Sequence, residues 1–158
     1  MDPNEFRRIV GHFATGVTII TASDERGEPR GLTANAVCSV SLEPTLVLAC
    51  VERVASPHDS IRQAGHFAVN VLAEERGELL ARRFAEPTRE GRFEGVAYSP
   101  RRSGAPVLAD GLAWLDCRLR ETLPGGDHTI FIGEVLDGDA KEGVPLLFYR
   151  GGYGRFTP

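Results

Sequence analysis

Short apolar, β-branched segments separated by turns are the feature of this sequence that most restricts its fold. Gly, Pro and Asp residues, which favour turns, lie between most of them. The segments occupy residues 17–22, 33–41, 46–51, 66–72, 112–123, 127–135 and 145–149. Many strands with few helices predict a mainly β, antiparallel barrel that is closed or nearly closed, because closure removes unpaired strand edges.

Length, charge and the first residues restrict the class of protein. The 158 residues are expected to form a single domain over positions 1–158, large enough to bury an ordinary core. The net charge of −4 disfavours nucleic acid and anionic membranes as partners, since both attract basic surfaces. The opening segment, Met1-Asp2-Pro3-Asn4-Glu5, has neither the basic nor the apolar region of a secretory signal, so a cytoplasmic protein is expected.

Two capping patterns predict helices. Asp2 followed by Pro3 begins the first helix, whose spacing puts four apolar residues on one face. That face, predicted to pack on the body of the fold, carries Phe6, Ile9, Val10 and Phe13. Ser56 begins the second helix, which runs to Gly65. Its N-terminus is a candidate anion site with Arg53 just upstream; alternatively, Ser56 serves only as the cap.

A third helix and a long loop follow. The helix is expected from residue 74 to about residue 84, with Leu79, Leu80 and Phe84 on its inner side. Residues 86–106 are rich in Pro, Gly and Arg, and a loop of this length in a compact domain indicates a lid or binding loop. The arginines in or beside it are Arg83, Arg89, Arg92, Arg101 and Arg102.

The last third of the chain is predicted to be β. Residues 112–123 alternate in polarity, which places Asp116 with Arg118 and Arg120 on the side facing away from the apolar residues. The glycine-rich residues 151–154 open no helix, so they predict a C-terminal turn rather than a nucleotide-binding motif.

The sequence contains few catalytic signatures. It has no phosphate-binding loop, no dinucleotide-binding glycine motif and no nucleophile elbow. No metal site is predicted, and the widely spaced cysteines are interpreted as small buried free thiols: Cys38, Cys50 and Cys117. His128 follows a turn and has Asp127 beside it. It is either a hydrogen-bond donor at a pocket mouth or an exposed strand end.

Residues 31–44 combine strand-forming residues with small polar side chains. The polar members, which can form hydrogen bonds close to the backbone, are Thr33, Asn35, Cys38 and Ser39. Such a strand suits a flat heterocycle with one polar edge, for example an isoalloxazine ring. The alternative is a half-buried edge strand whose hydroxyl groups face water.

Six motifs, taken in order, resemble the flavin reductase family, which has the FMN-binding split-barrel fold. They read FATGVT, GLTANA, SVSLEP, HFAVNVL, GDH and GEV, at residues 13–18, 31–36, 39–44, 66–72, 126–128 and 133–135. The resemblance implies an antiparallel, Greek-key-like split β-barrel and a homodimer. It also implies reduction of FMN, FAD or riboflavin by NADH or NADPH, with delivery of reduced flavin to a separate monooxygenase.

The resemblance also assigns site residues. Along the isoalloxazine ring and ribityl chain it puts Thr33, Ala34, Asn35, Ala36 and Ser39, with Cys50 and Val51 beside the ring. It puts Ser56 at the flavin phosphate, Arg83 and Phe84 near the outer end of the flavin, and the segment from Tyr149 to Tyr153 at the pocket border. His128 becomes the nicotinamide-side residue. His58 stands where the family often has a threonine, which puts that side chain's phosphate contact in question.

The implied chemistry is direct hydride transfer from nicotinamide to flavin. The cofactor carries the reaction, so no side chain is required as acid, base or nucleophile. Two alternatives share the barrel: a protein that binds FMN without reducing it, and an oxidase resembling pyridoxamine-phosphate oxidase. The oxidase ranks lower because no second phosphate pocket with paired basic residues is evident.

Overall fold

The computed structural model describes residues 1–86 and 90–157. The helices in these ranges are α1 (Pro3–Val10), α2 (Pro57–Ala64) and α3 (Glu74–Ala85). The strands are β1 (Thr15–Gly16), β2 (Thr18–Ser23), β3 (Pro29–Ala34), β4 (Val37–Leu42), β5 (Thr45–Glu52), β6 (His66–Leu72), β7 (Tyr98–Pro100), β8 (Pro106–Leu108), β9 (Gly111–Gly125), β10 (His128–Ala140), β11 (Leu146–Tyr149) and β12 (Gly152–Arg155).

Seven strands form one antiparallel sheet in the order β3-β2-β6-β9-β10-β5-β4. A smaller sheet has the order β1-β11-β12, and β7 pairs with β8. The two edge strands of the large sheet, β3 and β4, follow one another in the chain. The sheet must therefore curl until its edges approach, which confirms the predicted antiparallel split barrel.

The connection between these edges, Asn35–Ala36, is named the seam here. Thr18 Oγ1 donates a hydrogen bond to the Ala34 carbonyl on one side (2.7 Å), and the Cys50 amide donates to the Ala36 carbonyl on the other (2.9 Å). The prediction of one continuous strand over 33–41 is therefore wrong. The chain changes its pairing partner at the seam, from β2 to β5, and a period of two does not reveal which neighbour a strand has.

Besides a small cluster of Ala68, Ala105 and Val107 packed against Trp114, the core has two larger parts. One fills the barrel interior and consists of Ile20, Ala22, Ala34, Val47, Ala49, Val51, Ile61, Phe67, Val69, Cys117 and Phe131. The other lies outside the barrel wall, against α3 and β11, and consists of Val17, Ile19, Leu72, Ala81, Phe84, Leu108 and Leu146. Ile19 and Ile20 belong to different parts because successive strand residues point to opposite faces.

Helix α1 forms as predicted but does not pack as predicted. The Asp2 carboxylate accepts hydrogen bonds from the Asn4 and Glu5 amides, yet no residue of the helix is buried. Its apolar face is exposed: Phe6, Ile9 and Val10 in the helix and Phe13 after it. The helix is tied to the body near its C-terminal end, where the Arg150 amide donates to the Gly11 carbonyl (2.9 Å).

Helices α2 and α3 form where the sequence predicts them, but the cap of α2 and the buried face of α3 differ from the prediction. Gly65 ends α2 in the left-handed conformation, as predicted, but Ser56 makes no capping hydrogen bond. The cause is its backbone (φ −48°, ψ −41°), which is already helical, whereas a capping residue is extended. In α3 the buried face carries Gly77, Ala81 and Phe84. Leu79 lies away from that face and is exposed, contrary to the prediction.

Three further expectations change in the second half of the chain. The predicted loop contains the short strand β7 and ends at the first residue of β8, and its Arg89 lies outside the described residues. Asp116 is fully buried rather than outward-facing, because the Ser103 amide and hydroxyl both donate to its carboxylate. The predicted C-terminal turn contains β12, which pairs with β11. Among the described helices, none combines the length and apolar character needed to cross a membrane.

Candidate functional site

A groove of about 1060 Å³ lies at the seam. Its walls come from α1 and the segment that follows it, from the seam, from β1, β2, β4, β5, β6 and β11, and from the loop after β11. Three of the residues that the sequence suggested for a flavin ring line it together: Asn35, Ala36 and Cys50. The groove therefore brings the seam and the middle of β5 into a single site.

The polar groups near the seam lie close to the backbone, and three arginines also line the groove: Arg7, Arg8 and Arg150. The Asn35 side-chain amide donates to Thr15 Oγ1 (3.2 Å), and Thr18 also lines the groove. Burial raises the pKa of the Cys50 thiol above its ordinary value, so this cysteine is a neutral, weakly polar wall. A mostly apolar cavity with a few placed hydrogen-bonding groups is the usual form of a small-molecule site.

Strand alternation turns several neighbouring candidates away from the groove. Ala34 and Val51 are buried in the barrel interior. Thr33 donates its hydroxyl to the Ala81 carbonyl of α3 (2.6 Å). Ser39 is exposed on the edge strand β4, opposite Val47.

Ser56 lies at a second, smaller depression of about 550 Å³. Glu28, the first three residues of β3, Ser56 before α2 and residues 90–94 line it. Arg30 is held there by Asp24, whose carboxylate oxygen is 2.6 Å from the guanidinium, and this hydrogen bond lowers the pKa of Asp24. The Arg92 guanidinium donates to the Gly31 carbonyl (2.9 Å).

His128 begins β10 at the tip of the β9–β10 hairpin. Its Nδ1 lies 2.7 Å from Asp127 Oδ1, and its side chain is 42% exposed. The hydrogen bond from His128 lowers the pKa of Asp127, so the carboxylate stays charged and orients the ring. The Arg53 amide donates to the Asp127 carbonyl (3.0 Å), which ties the hairpin tip to the segment before α2.

The remaining candidates, like His128, do not line the groove. Arg83 donates to the Glu94 carbonyl (2.9 Å), and Phe84 is buried with its ring edge-on to Phe93. Tyr149 is about half exposed. Tyr153 contacts Phe148 and lies beneath the Arg82 guanidinium, and burial raises the pKa of its hydroxyl.

Comparison with known proteins identifies the family. The protein-family model described as "Flavin reductase like domain" matches residues 10–157 of this chain. The reductase component of a 4-nitrophenol 4-monooxygenase/4-nitrocatechol 2-monooxygenase from Rhodococcus opacus is 45% identical over 158 residues, covering 100% of this chain and 83% of that protein. The chain belongs to the flavin reductase family.

Solved structures agree with this assignment. The NADH:FAD oxidoreductase SgcE6 of Streptomyces globisporus superposes with a TM-score of 0.91 at 41% identity, covering 100% of this chain and 97% of that one. Some flavin reductase relatives are longer: one from Rhizobium meliloti is 42% identical, and the chain spans 49% of its length. The split-barrel fold of this flavin reductase is therefore shared along its whole length with a solved member.

The groove fits the flavin that this family implies. Apolar walls suit the faces of an isoalloxazine ring, and the amide and hydroxyl groups near the seam suit its polar edge. No cluster of potential metal ligands occurs in the described ranges. The groove residues can hold a ring and exclude water, and none of them is placed as an acid–base pair.

Sequence reasoning missed part of this flavin reductase's groove. Phe6, Val10 and Phe13 line it, although their helical spacing was interpreted as core packing. Cys38 also lines it and is exposed, whereas it was predicted to be buried. The available signal was a short helix whose apolar face lies beside three charged residues: Glu5, Arg7 and Arg8.

Proposed function

We propose that this flavin reductase binds the isoalloxazine ring of FMN or FAD in the groove at the seam and reduces it with NADH or NADPH. The observation that supports this most is the position of Asn35 and Ala36. They join two edge strands, each of which has one paired neighbour in the described sheet. The Ala36 carbonyl already accepts from the Cys50 amide, but the Asn35 and Ala36 amides have no backbone acceptor among the described residues. These amides can donate to the polar edge of a ring, whose buried polar groups need partners.

Different residues bind the ring and the phosphate of the flavin. Asn35, Ala36 and Cys50 contact the ring, and Ser56 binds the phosphate. Two facts support the role of Ser56: its hydroxyl makes no capping bond, and it precedes the N-terminus of an eight-residue helix, whose dipole favours anions. Thr33, Ala34, Ser39 and Val51 act through their backbone or through support of the strands.

His128 binds the nicotinamide side of the hydride donor. Its ring is partly exposed at a hairpin tip and is oriented by Asp127. Bound flavin supplies the hydride acceptor, so the protein's task is to align the two substrates and exclude water. Arg83, Tyr149 and Tyr153 border the outer part of the site, and Phe84 supports it from the core.

The reduced flavin passes to a partner monooxygenase. Relatives named as monooxygenase reductase components support this, including the Rhodococcus opacus protein. Near the seam the groove offers hydroxyl, amide and thiol groups to the flavin, and these groups suit moderate, reversible binding that allows release. The protein acts in the cytoplasm.

A homodimer completes the site. The apolar face of α1 is exposed in the single chain, with Phe6 at 56% and Phe13 at 77% exposure, and it borders the groove. A second copy covering this face would remove large apolar side chains from water, which is the usual basis of stable dimers.

Oxidation of reduced nicotinamide by the purified protein tests the proposal. NADH and NADPH are each assayed with FMN, with FAD, with riboflavin and without flavin. Rapid oxidation that depends on added or bound flavin is expected. Flavin binding without oxidation of either nucleotide would contradict the proposal and leave a flavin-binding protein that does not use nicotinamide.

A further inference from the structure

A buried side-chain hydrogen bond joins the first turn of α2 to the start of β10. His58 is 5% exposed, and its Nε2 lies 2.8 Å from Thr129 Oγ1. Its Nδ1 lies 2.9 Å from Asp59 Oδ1, so both ring nitrogens have partners. The ring also packs edge-on against Phe131, with centroids 5.4 Å apart.

The two ends of this bond adjoin the two substrate positions proposed above. His58 follows Ser56 by two residues, and Thr129 directly follows His128. Because side chains alternate along a strand, Thr129 points inward to His58 while His128 is presented on the other face. The backbone bond from Arg53 to Asp127 is a second link between the same two segments.

Packing alone does not account for a histidine at this position. A buried polar ring costs free energy unless its nitrogens are hydrogen-bonded, and an aliphatic residue would also pack against Phe131. The His58 side chain turns inward, and its hydrogen bond to Thr129 gives a polar ring a reason to occupy this buried position.

We propose that His58 is a positioning residue: through Thr129 it fixes His128 relative to Ser56, and so fixes the nicotinamide relative to the flavin. The proposal rests on the proposed function, because it assumes that Ser56 and His128 bind different substrates. Hydride transfer is sensitive to the relative placement of donor and acceptor, so a small shift of β10 against α2 affects turnover.

The first experiment uses a matched pair at residue 129. Thr129→Val keeps the shape but removes the hydroxyl, and Thr129→Ser keeps the hydroxyl. In Thr129→Val we expect kcat/KM for NADH to fall roughly tenfold or more, with the flavin dissociation constant changed less than about twofold. Thr129→Ser should retain kcat/KM within about threefold of the unchanged protein.

A second pair at residue 58 keeps the test decisive if Thr129→Val does not fold. The side-chain nitrogen of Gln reaches the position of Nε2, whereas that of Asn reaches only the position of Nδ1. His58→Gln should therefore retain most of kcat/KM, and His58→Asn should lose it. Equal activity of these two variants would overturn the proposal.

Thr21→Val is the control for a general loss of stability. Thr21 is also fully buried, and its hydroxyl donates to the Pro106 carbonyl of β8 (2.5 Å) rather than to a group of α2 or β10. It should lower the melting temperature without a selective loss of kcat/KM for NADH. If Thr21→Val and Thr129→Val lose kcat/KM equally, the role of His58 is only structural and the proposal fails.

Hydrogen exchange without substrates provides a readout independent of activity. The Arg53 amide, which donates to Asp127, should exchange faster in Thr129→Val than in Thr129→Ser, whereas amides of β2 and β6 should not change. Unchanged exchange at Arg53 would contradict the positioning role. If the unmodified protein oxidises no reduced nicotinamide, the proposed function fails, whatever the exchange data show about the link.

Discussion

Ala34 and Val37 lie on opposite edge strands of the seven-stranded sheet, although only two residues separate them in the chain. Ala34 ends β3, which pairs with β2, and Val37 begins β4, which pairs with β5 opposite Ala49. The barrel therefore divides at this point, and the groove occupies the division. The backbone that closes the fold is the same backbone that faces the proposed flavin.

Ser56→Ala separates phosphate binding from helix stability. Because Ser56 makes no capping hydrogen bond, its loss should leave the free energy of unfolding almost unchanged. Loss of a hydrogen bond to a charged phosphate should weaken FMN binding about ten- to hundredfold. Riboflavin, which lacks the phosphate, is the matched ligand and should bind equally to both proteins. Fluorescence titration measures both, and equal weakening for the two flavins would exclude the phosphate role.

Gly133→Ala should destabilise the barrel. A Cβ at this position would lie 2.6 Å from Phe67 Cζ and 2.8 Å from Cys117 Cβ, both fully buried. Overpacking of this kind costs about 1–3 kcal/mol in the free energy of unfolding. Gly154→Ala is the control, since nothing lies within 4 Å of a Cβ there. Urea unfolding measures both variants, and equal stabilities would show that the interior near Phe67 yields easily.

His66 should make stability depend on pH below neutrality. Burial lowers its pKa from the ordinary 6.5, against an opposing effect of Asp116, so the folded state disfavours the charged ring. The unfolded chain binds the proton more readily, so this contribution is complete above pH 6.5 and is lost as the pH falls through the folded pKa. His66→Gln should flatten the dependence of the free energy of unfolding between about pH 7 and pH 5. An identical slope in both proteins would contradict this.

The three cysteines should react at different rates with a thiol reagent. Cys38 is exposed and should react first; the Cys50 thiol is half-buried with a raised pKa and should react slowly. Burial raises the pKa of Cys117 to about 12, so it should not react until the protein unfolds. Added FMN should slow Cys50 further. Peptide mapping by mass spectrometry assigns the sites, and rapid labelling of Cys117 in the folded protein would refute the order.

The apolar face of α1 predicts a dimer in solution. We expect sedimentation equilibrium to give the mass of two chains, and the double change Phe6→Asp and Phe13→Asp to give the mass of one. Leu79→Asp is the control, because Leu79 is 73% exposed on α3, away from the groove. It should not change the mass. A monomer in the unmodified protein would contradict the dimer and would leave the apolar face unexplained.

The local signals in the sequence predicted elements better than contacts. Asp2 and Gly65 mark helix ends because capping depends on neighbouring residues alone. The break between β3 and β4 within residues 33–41 could not be predicted from the sequence, because segments distant in the chain determine which strands pair. Asp116 looked outward-facing from alternation, but a loop that carries Ser103 covers it.

For the candidate site residues, too, the sequence predicted the element but not the contacts of each side chain. The resemblance suggested both Cys50 and Val51, and both lie on β5, but only Cys50 faces the groove while Val51 fills the barrel. A sequence motif identifies the strand, and the sheet decides which alternate side chain reaches a ligand. Phe13 was missed as a groove residue because an apolar helix face has the same pattern whether it meets a core or an open groove.

The arrangement of the hairpins has a consequence for the order of folding. Only Gly126 and Asp127 separate β9 from β10, and β2–β3 and β4–β5 are also local hairpins, whereas the pairings β6–β9 and β5–β10 join distant segments. Local pairs form faster than distant ones, so the groove at the seam should be completed last. In refolding experiments, quenching of flavin fluorescence should therefore lag behind the recovery of far-ultraviolet circular dichroism.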